Sequence, residues 1–500
     1  MDQQTTSPEN GRLHRGLPVE ILAEIFEYCL PSSQERQNAP LHTLPPLTLS
    51  WVCKLWRELC LSLPKLWTTV TLGHRATNPA DDISIFKLWL SRSKHLPISI
   101  NLHYEVNDSA KPMHFDPEKN GVYTKGMKKL IKQALTSVHR WRKFEIHTLD
   151  ISVLKQIFVS LVIGAPQLEE LGLSTRYLGF FGDVHIVDFA LCPALRTVRM
   201  LTPMICPATP ANTMENMTTL ELRFCTSIED CLQWVDICPA LEQLSIRLFC
   251  SQTDLIGHEI GWRWSDPSQS KTRYLPKLQR LEMHGFSRDS DLGPLIDVLD
   301  VPALKSLHIN MYDMVDTPTR WTHVIQLVRR SKPDIEQLSL LGTPMLGEDF
   351  DECLKLLPNI NSLAIGCPDV LGTDDLLKAM VPELNEGNQG PGINPGSEKG
   401  NRQTEMVLCP SLRVLDLSQS SWSLSLLVSA VLSRAKLLDD AMDGFSIKRL
   451  KELKVHEKAV AHVLANKDIT RCIEESGLHI SAVEPYTLLK AYGAPQQVFV

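Results

Sequence analysis

Nowhere does the 500-residue sequence hold an apolar run near the roughly 20 residues that cross a bilayer. Its longest such stretches, Ile157–Ala165 and Leu424–Leu432, are far shorter, and no membrane span is expected. The segment Met1–Arg15 is polar, with Pro8, Glu9, Asn10 and Gly11, and lacks the apolar heart of a secretory signal. A soluble protein of the cytoplasm and/or nucleus is expected. The thirteen cysteines are odd in number and form no Cys-x-x-Cys pair, which argues against a disulfide framework or a zinc ribbon. Charge of one sign is scarce too. With 51 basic and 58 acidic residues the net charge is −7, so no broad field invites nucleic acid. A protein partner is expected instead.

Catalytic signatures are also missing. There is no Gly-x-Ser-x-Gly elbow, phosphate loop or dinucleotide fingerprint, and Gly387–Gly400 lacks the Lys-Ser/Thr ending that cradling phosphate requires. His258-Glu259 has no second histidine four residues after His258, and His456 and His462 are six apart, off a common helical face. The pairs Asp374-Asp375 and Asp439-Asp440 fall at loop-to-helix positions, where capping explains them. The expectation is a non-enzyme with no catalytic residue, no cofactor and no metal.

What the sequence does contain is a repeat. Length alone exceeds the roughly 250–300 residues at which one core stops growing, so several domains or an open array are expected. The pattern Pro-x-Leu-x-x-Leu-x-Leu, with aliphatic substitutions, starts at Pro166, Pro193, Pro239, Pro276, Pro302, Pro333, Pro358 and Pro410. Degenerate copies lie at Leu220–Leu222 and Leu450–Val455, and spacings are mostly near 22–31 residues. Helical periodicity precedes many of the prolines, as in Ile151–Ile163 and Trp321–Val328, and a proline halts a helix. The Leu-x-Leu that follows has the period of a strand. Each copy therefore reads as helix, proline stop, short strand, and stacked copies make a parallel sheet. Earlier turns of the same kind are read at Ile83–Ser93 with Ile98–Leu102, and at Lys125–Val138 with Phe144–Ile146. Cys192, Cys238 and Cys409 each precede one of the repeat prolines, a small, half-buried packing position.

Ahead of the repeats, Leu17, Ile21, Leu22, Ile25 and Phe26 form an apolar helical stripe, with Pro18 tolerated in the first turn. After a polar and proline-rich break come Ser50-Trp51-Val52-Cys53-Lys54-Leu55-Trp56-Arg57 and Pro64-Lys65-Leu66-Trp67. So short a unit cannot enclose all of these large side chains, and some of that surface needs a partner. In order and spacing these segments resemble the F-box of large fungal families, departing from it in a long Ser32–Thr43 loop. The repeats behind resemble the irregular leucine-rich repeats that often follow an F-box. They differ from regular repeats at the ladder position, here Arg176, Cys225, Phe249, Phe286, Tyr312, Thr343, Pro368 and Ser420, where only Cys225 conforms.

The resemblance implies an α/β chain: a small all-helical F-box, then an irregular leucine-rich-repeat αβ solenoid. The expected division is a tail at 1–12, F-box at 13–68, solenoid at 69–480 with a flexible insertion at 385–405, and a cap or tail at 481–500. It further implies docking to the Skp-type adaptor, and through it the cullin, of an SCF-type ubiquitin ligase. Leu17, Pro18, Ile21, Leu22, Ile25, Val52 and Trp56 would lie at or beneath that contact. A protein target of unknown identity would meet the outward strand positions Arg199, Glu221, Arg223, Arg247, Glu282, His284, His308, Asn310 and Asp416. A repeat scaffold with no ligase role is the alternative. Finally, the basic stretch from Lys125 to Lys143 reads as a repeat helix buried on one side and solvated on the other, with an anion or membrane site as the lesser reading.

Overall fold

The computed structural model describes residues 17–32, 35–36, 43–73, 79–104, 117–148, 151–175, 185–186, 188–201, 204–205, 213–225, 228–248, 271–285, 291–311, 320–345, 347–366, 372–381, 408–436 and 448–483. The expected tail at 1–12, the insertion at 385–405, the ending Tyr486–Val500 and most of the Ser32–Thr43 loop lie outside the described residues. The chain divides into two compact units, Met1–Met217 with Pro495–Val500, and Thr218–Ala494. Both are α/β, each built on a parallel sheet, and among the described residues no helix is long and apolar enough to cross a membrane.

The first unit opens with helices α1 (Val19–Tyr28), α2 (Leu47–Val52) and α3 (Lys54–Ser62), and a short 3-10 turn at Pro64–Trp67. Strand β1 (Thr69–Leu72), α4 (Pro79–Arg92), β2 (Ile98–His103), α5 (Pro117–Leu135), β3 (Trp141–Thr148), α6 (Ile151–Ile163), β4 (Glu170–Thr175) and β5 (Thr197–Leu201) follow. These strands pair in chain order, all parallel. The pleat sorts their residues: Ile98, Ile100, Leu102, Phe144, Ile146, Leu171, Leu173, Val198 and Met200 are buried under the helices. Three tryptophans fasten neighbouring elements together. Trp67 donates to the Cys60 carbonyl at 2.8 Å, Trp89 to Thr69 at 3.1 Å and Trp141 to Ala134 at 3.2 Å, and all are fully buried. Trp67 meets Trp89 edge to face at 4.8 Å, so the N-terminal helices share a core with the start of the sheet. The basic helix α5 buries Met127, Leu130, Ile131 and Ala134 and leaves Lys125, Lys128, Lys129 and Lys132 exposed, a solvated face over a packed one.

In the second unit the strands of the main sheet are β6 (Thr219–Cys225), β7 (Gln243–Leu248), β8 (Arg280–Gly285), β9 (Ser306–Met311), β10 (Gln337–Leu341), β11 (Ser362–Gly366), β12 (Val414–Asp416), β13 (Glu452–His456) and β14 (His479–Val483), and Arg273–Tyr274 pairs with Leu299–Asp300 apart from it. They too are parallel and in chain order. Helices α7 (Ile228–Ile237), α8 (Gly293–Asp297), α9 (His323–Ser331), α10 (Gly347–Lys355), α11 (Gly372–Ala379), α12 (Leu424–Lys436), α13 (Glu457–Leu464) and α14 (Lys467–Ser476) lie between or beside them.

In several copies the proline does more than stop a helix. Leu168, Leu195, Leu304 and Leu412 each donate a backbone N–H at 3.1 Å to the residue just before their proline: Ala165, Cys192, Val301 and Cys409. Proline thus occupies the second position of a β-turn, where its ring-fixed φ is already correct. Past the turn, one carbonyl accepts two N–H groups from the next copy. Glu242 takes Gln279 and Arg280, Gln279 takes Lys305 and Ser306, Lys305 takes Glu336 and Gln337, and Glu336 takes Asn361 and Ser362, at 2.8–3.1 Å. Ser420, at a ladder position, donates its hydroxyl to the Ile365 carbonyl at 2.7 Å, which satisfies that backbone group without an asparagine.

Arginines fasten the turns. Arg140 reaches the Leu96 carbonyl at 3.0 Å, Arg330 the Leu299 and Ile296 carbonyls at 2.9 Å, and Arg434 the Leu408 and Cys409 carbonyls at 2.7 and 3.0 Å. Arg434 is 1% exposed. Arg434→Met keeps the packing volume but strips two buried carbonyls of a charged donor, and should lower stability by about 2–3 kcal/mol. A reduced urea midpoint, with far-UV circular dichroism unchanged before the transition, is the expected reading.

Candidate functional site

Two kinds of surface stand out: an apolar face on the N-terminal helices, and polar rows on the outward faces of the two sheets.

The expected apolar stripe is divided by the helix itself. Leu22 and Phe26, four residues apart, are buried, at 2% and 0% exposure. Leu17, Ile21 and Ile25, also at intervals of four, are 44%, 41% and 39% exposed, and Pro18, Val19 and Tyr28 join them at the surface. Trp51, Val52 and Leu55, around the α2–α3 junction, are exposed as well. Trp56 is half-buried, its ring edge-on to Phe26 at 4.8 Å. Of the seven residues expected at an adaptor contact, Leu17, Pro18, Ile21, Ile25 and Val52 are therefore reachable, while Leu22 and Trp56 support them from beneath. Single exposed apolar residues are ordinary, but this many on one short helical module are not.

On the sheets, Arg199 belongs to the first unit, where it is exposed and lies 3.8 Å from Glu170. The other candidate positions belong to the second unit. Glu221 and Arg223 are half-buried and pair with each other two residues apart on β6. Asp416 is half-buried and accepts from the Ser418 hydroxyl at 2.6 Å. Strand register gathers the rest: Glu282 lies beside His308 and Ser245, and His284 beside Asn310 and Arg247. Three of these depart from the expected solvent-facing role. Arg247, His284 and Asn310 are 8%, 2% and 2% exposed. Neighbouring strands are only about 4.8 Å apart, so large side chains in one register row shield each other from water. They organise the face and do not offer direct contacts to a target.

His284 Nε2 lies 2.7 Å from Glu282 Oε1, and this hydrogen bond, helped by the nearby charge of Arg247, takes the Glu282 carboxyl down to about 2. Burial, then the neighbouring His284, takes His308 down to about 4.

Sequence reading missed a second polar group. In the first unit, His103 on β2 is the register partner of His147 on β3, and Glu145 lies two residues before His147, on the same face. The imidazoles stack at 4.1 Å, His147 Nε2 is 3.3 Å from Glu145 Oε1, and the carboxyl is held near 2, chiefly by that bond. One possible ligand atom from each of these three half-buried residues lies within 4.8 Å of the other two. The signal was present as Glu-x-His on a strand, but its third member comes from a strand more than forty residues away, and only register reveals it.

No protein-family model matches the chain, and no match is found among curated proteins.

The depressed His308 value makes the second unit acid-sensitive. Below 6.5 the unfolded chain takes up a proton at His308 that the folded chain refuses until about 4, so stability falls as pH drops through that interval. Glu282, depressed to about 2, loses stability in the same direction below its unfolded value of 4.5. Urea midpoints measured from pH 7 to pH 4 should fall for the wild-type chain and fall less for His308→Gln.

Proposed function

We propose that this chain is the substrate-recognition subunit of an SCF-type ubiquitin ligase. The observation that carries the reading is the exposed apolar face made by Leu17, Ile21, Ile25 and Val52 above a packed layer of Leu22 and Phe26. An intramolecular role would bury these residues; leaving them in water costs stability and suits a standing partner. The same residues carry the resemblance to the F-box, whose partner is the Skp-type adaptor. On this reading the parallel-sheet body is an irregular leucine-rich-repeat solenoid, and its outward strand positions hold a protein target. Arg199, Glu221, Arg223, Glu282, His308 and Asp416 are the reachable members of that set.

The mechanism requires no bond-making side chain in this protein. Docking one end to the ligase and the other to a target raises the effective concentration of target lysines at the charged conjugating enzyme, commonly into the millimolar range for a short flexible tether. Specificity then resides in the target face and rate in the geometry between the two contacts.

Co-purification of the full chain with a Skp-type adaptor tests the proposal. Ile21→Asp and Val52→Asp place charge in the docking face without touching the packed layer, and each should abolish adaptor recovery with the melting temperature held near that of the wild type. Trp56→Ala differs: it removes a half-buried ring that packs on Phe26, so its loss of binding would come with a lowered melting temperature. A wild-type chain that recovers no adaptor, beside a positive control that does, overturns the reading.

A further inference from the structure

We propose that His103, Glu145 and His147 form a binding site for a late first-row divalent metal, zinc(II) above all, on the outward face of the first unit's sheet. The inference is independent of the adaptor-docking reading.

Three observations converge. The first is donor chemistry: two imidazoles and one carboxylate suit zinc, copper, nickel or iron, and do not suit calcium or magnesium, which take oxygen ligands. The second is geometry. Glu145 and His147 are two apart on β3 and so share a face, while the register sets His103 beside His147. The three donor atoms lie within 4.8 Å of one another. A tetrahedral zinc with bonds of about 2.0–2.1 Å needs them about 3.3 Å apart. Closing roughly 1.5 Å requires the two imidazoles to turn out of their 4.1 Å stack and the carboxylate to turn with them, about ring and carboxyl torsions that have broad wells.

The third observation is room. On β4, the register partner of Glu145 is Gly172. A Cβ at that position would stand 3.0 Å from Glu145 Cγ, crowding the carboxylate that has to turn. Glycine weakens a strand interior and commonly marks a close approach of another group. Lys143 competes for the carboxylate, with Nζ 3.6 Å from Glu145 Oε2, but it is closer to Glu170, at 3.0 Å. Releasing Glu145 to a cation leaves the ammonium paired.

The protein would supply three ligands and leave a fourth position open toward solvent, since all three residues are half-buried and none is enclosed. Water, or a donor group on a bound protein, completes the shell.

Equilibrium dialysis of the full chain against zinc chloride, and cobalt(II) titration followed by visible absorption, test the site. Exposed Cys29 and half-buried Cys53 can take up metal, so the decisive quantity is the difference between variants in one background. Wild type should bind one more equivalent of zinc than the double variant His103→Gln/His147→Gln, and only wild type should show the d–d bands of a nitrogen-and-oxygen-ligated tetrahedral cobalt. Glu145→Gln should weaken binding by about tenfold or more, and His284→Gln, in the second unit, should change nothing. Metal-free melting curves of all variants identify any that fail to fold, and Glu145→Gln, which alters no ring, stands in if the double variant does. Equal zinc uptake by wild type and a folded double variant overturns the site, as does displacement of the metal by millimolar calcium or magnesium.

Discussion

Parallel pairing in strict chain order is the constraint on which the rest of the structure depends. A parallel strand cannot reach its neighbour through a tight hairpin, so the chain must travel over one face and return in the same direction every time. The recurring turn meets that demand. Proline at its second position fixes φ, the following leucine donates back across the turn, and a carbonyl in the preceding copy accepts the two N–H groups that open the next strand. These bonds fix register to the residue. Since side chains alternate along a strand, register decides which residues are core and which meet solvent.

This explains what was legible in the sequence and what was not. The period-2 leucines, the prolines and the amphipathic helices are local signals, and they foretold α/β copies with Leu281, Leu307 and Leu338 buried in one row. The role of proline as a turn residue was hidden, because stopping a helix and opening a turn leave the same mark. Burial of outward positions was hidden for another reason. Alternation says that His284 and Asn310 leave the core face, but says nothing about shielding by neighbours in their own row. The His103, Glu145 and His147 group was invisible in principle from spacing, as its distance along the chain has no characteristic value.

The N-terminal helices obey a different logic. An apolar stripe with residues at both i+4 series, Leu17–Ile21–Ile25 and Leu22–Phe26, is too wide for one small body to cover. The structure spends the Leu22 and Phe26 side on its own packing, against Trp56, and turns the other outward. Trp67 ties this module into the core through Cys60 and Trp89. Under the docking role proposed above, a face held by such packing has less conformational entropy to lose on binding.

The two Glu-x-His groups show how register neighbours divide similar chemistry. Glu145-Ile146-His147 and Glu282-Met283-His284 each present a carboxylate and an imidazole on one side of a strand, with another histidine on the next strand. In the first, the residue beside the carboxylate on β4 is Gly172, which leaves space and brings no charge. In the second, Arg247 is the register partner of His284 and its charge helps hold Glu282 ionised, while His308 is kept neutral by burial. A cation entering there meets the nearby charge of Arg247, and the carboxylate is already hydrogen-bonded to His284. The same three residue types thus make an open ligand set in one unit and an internally compensated, acid-labile brace in the other, and the difference comes from the residues that register sets alongside.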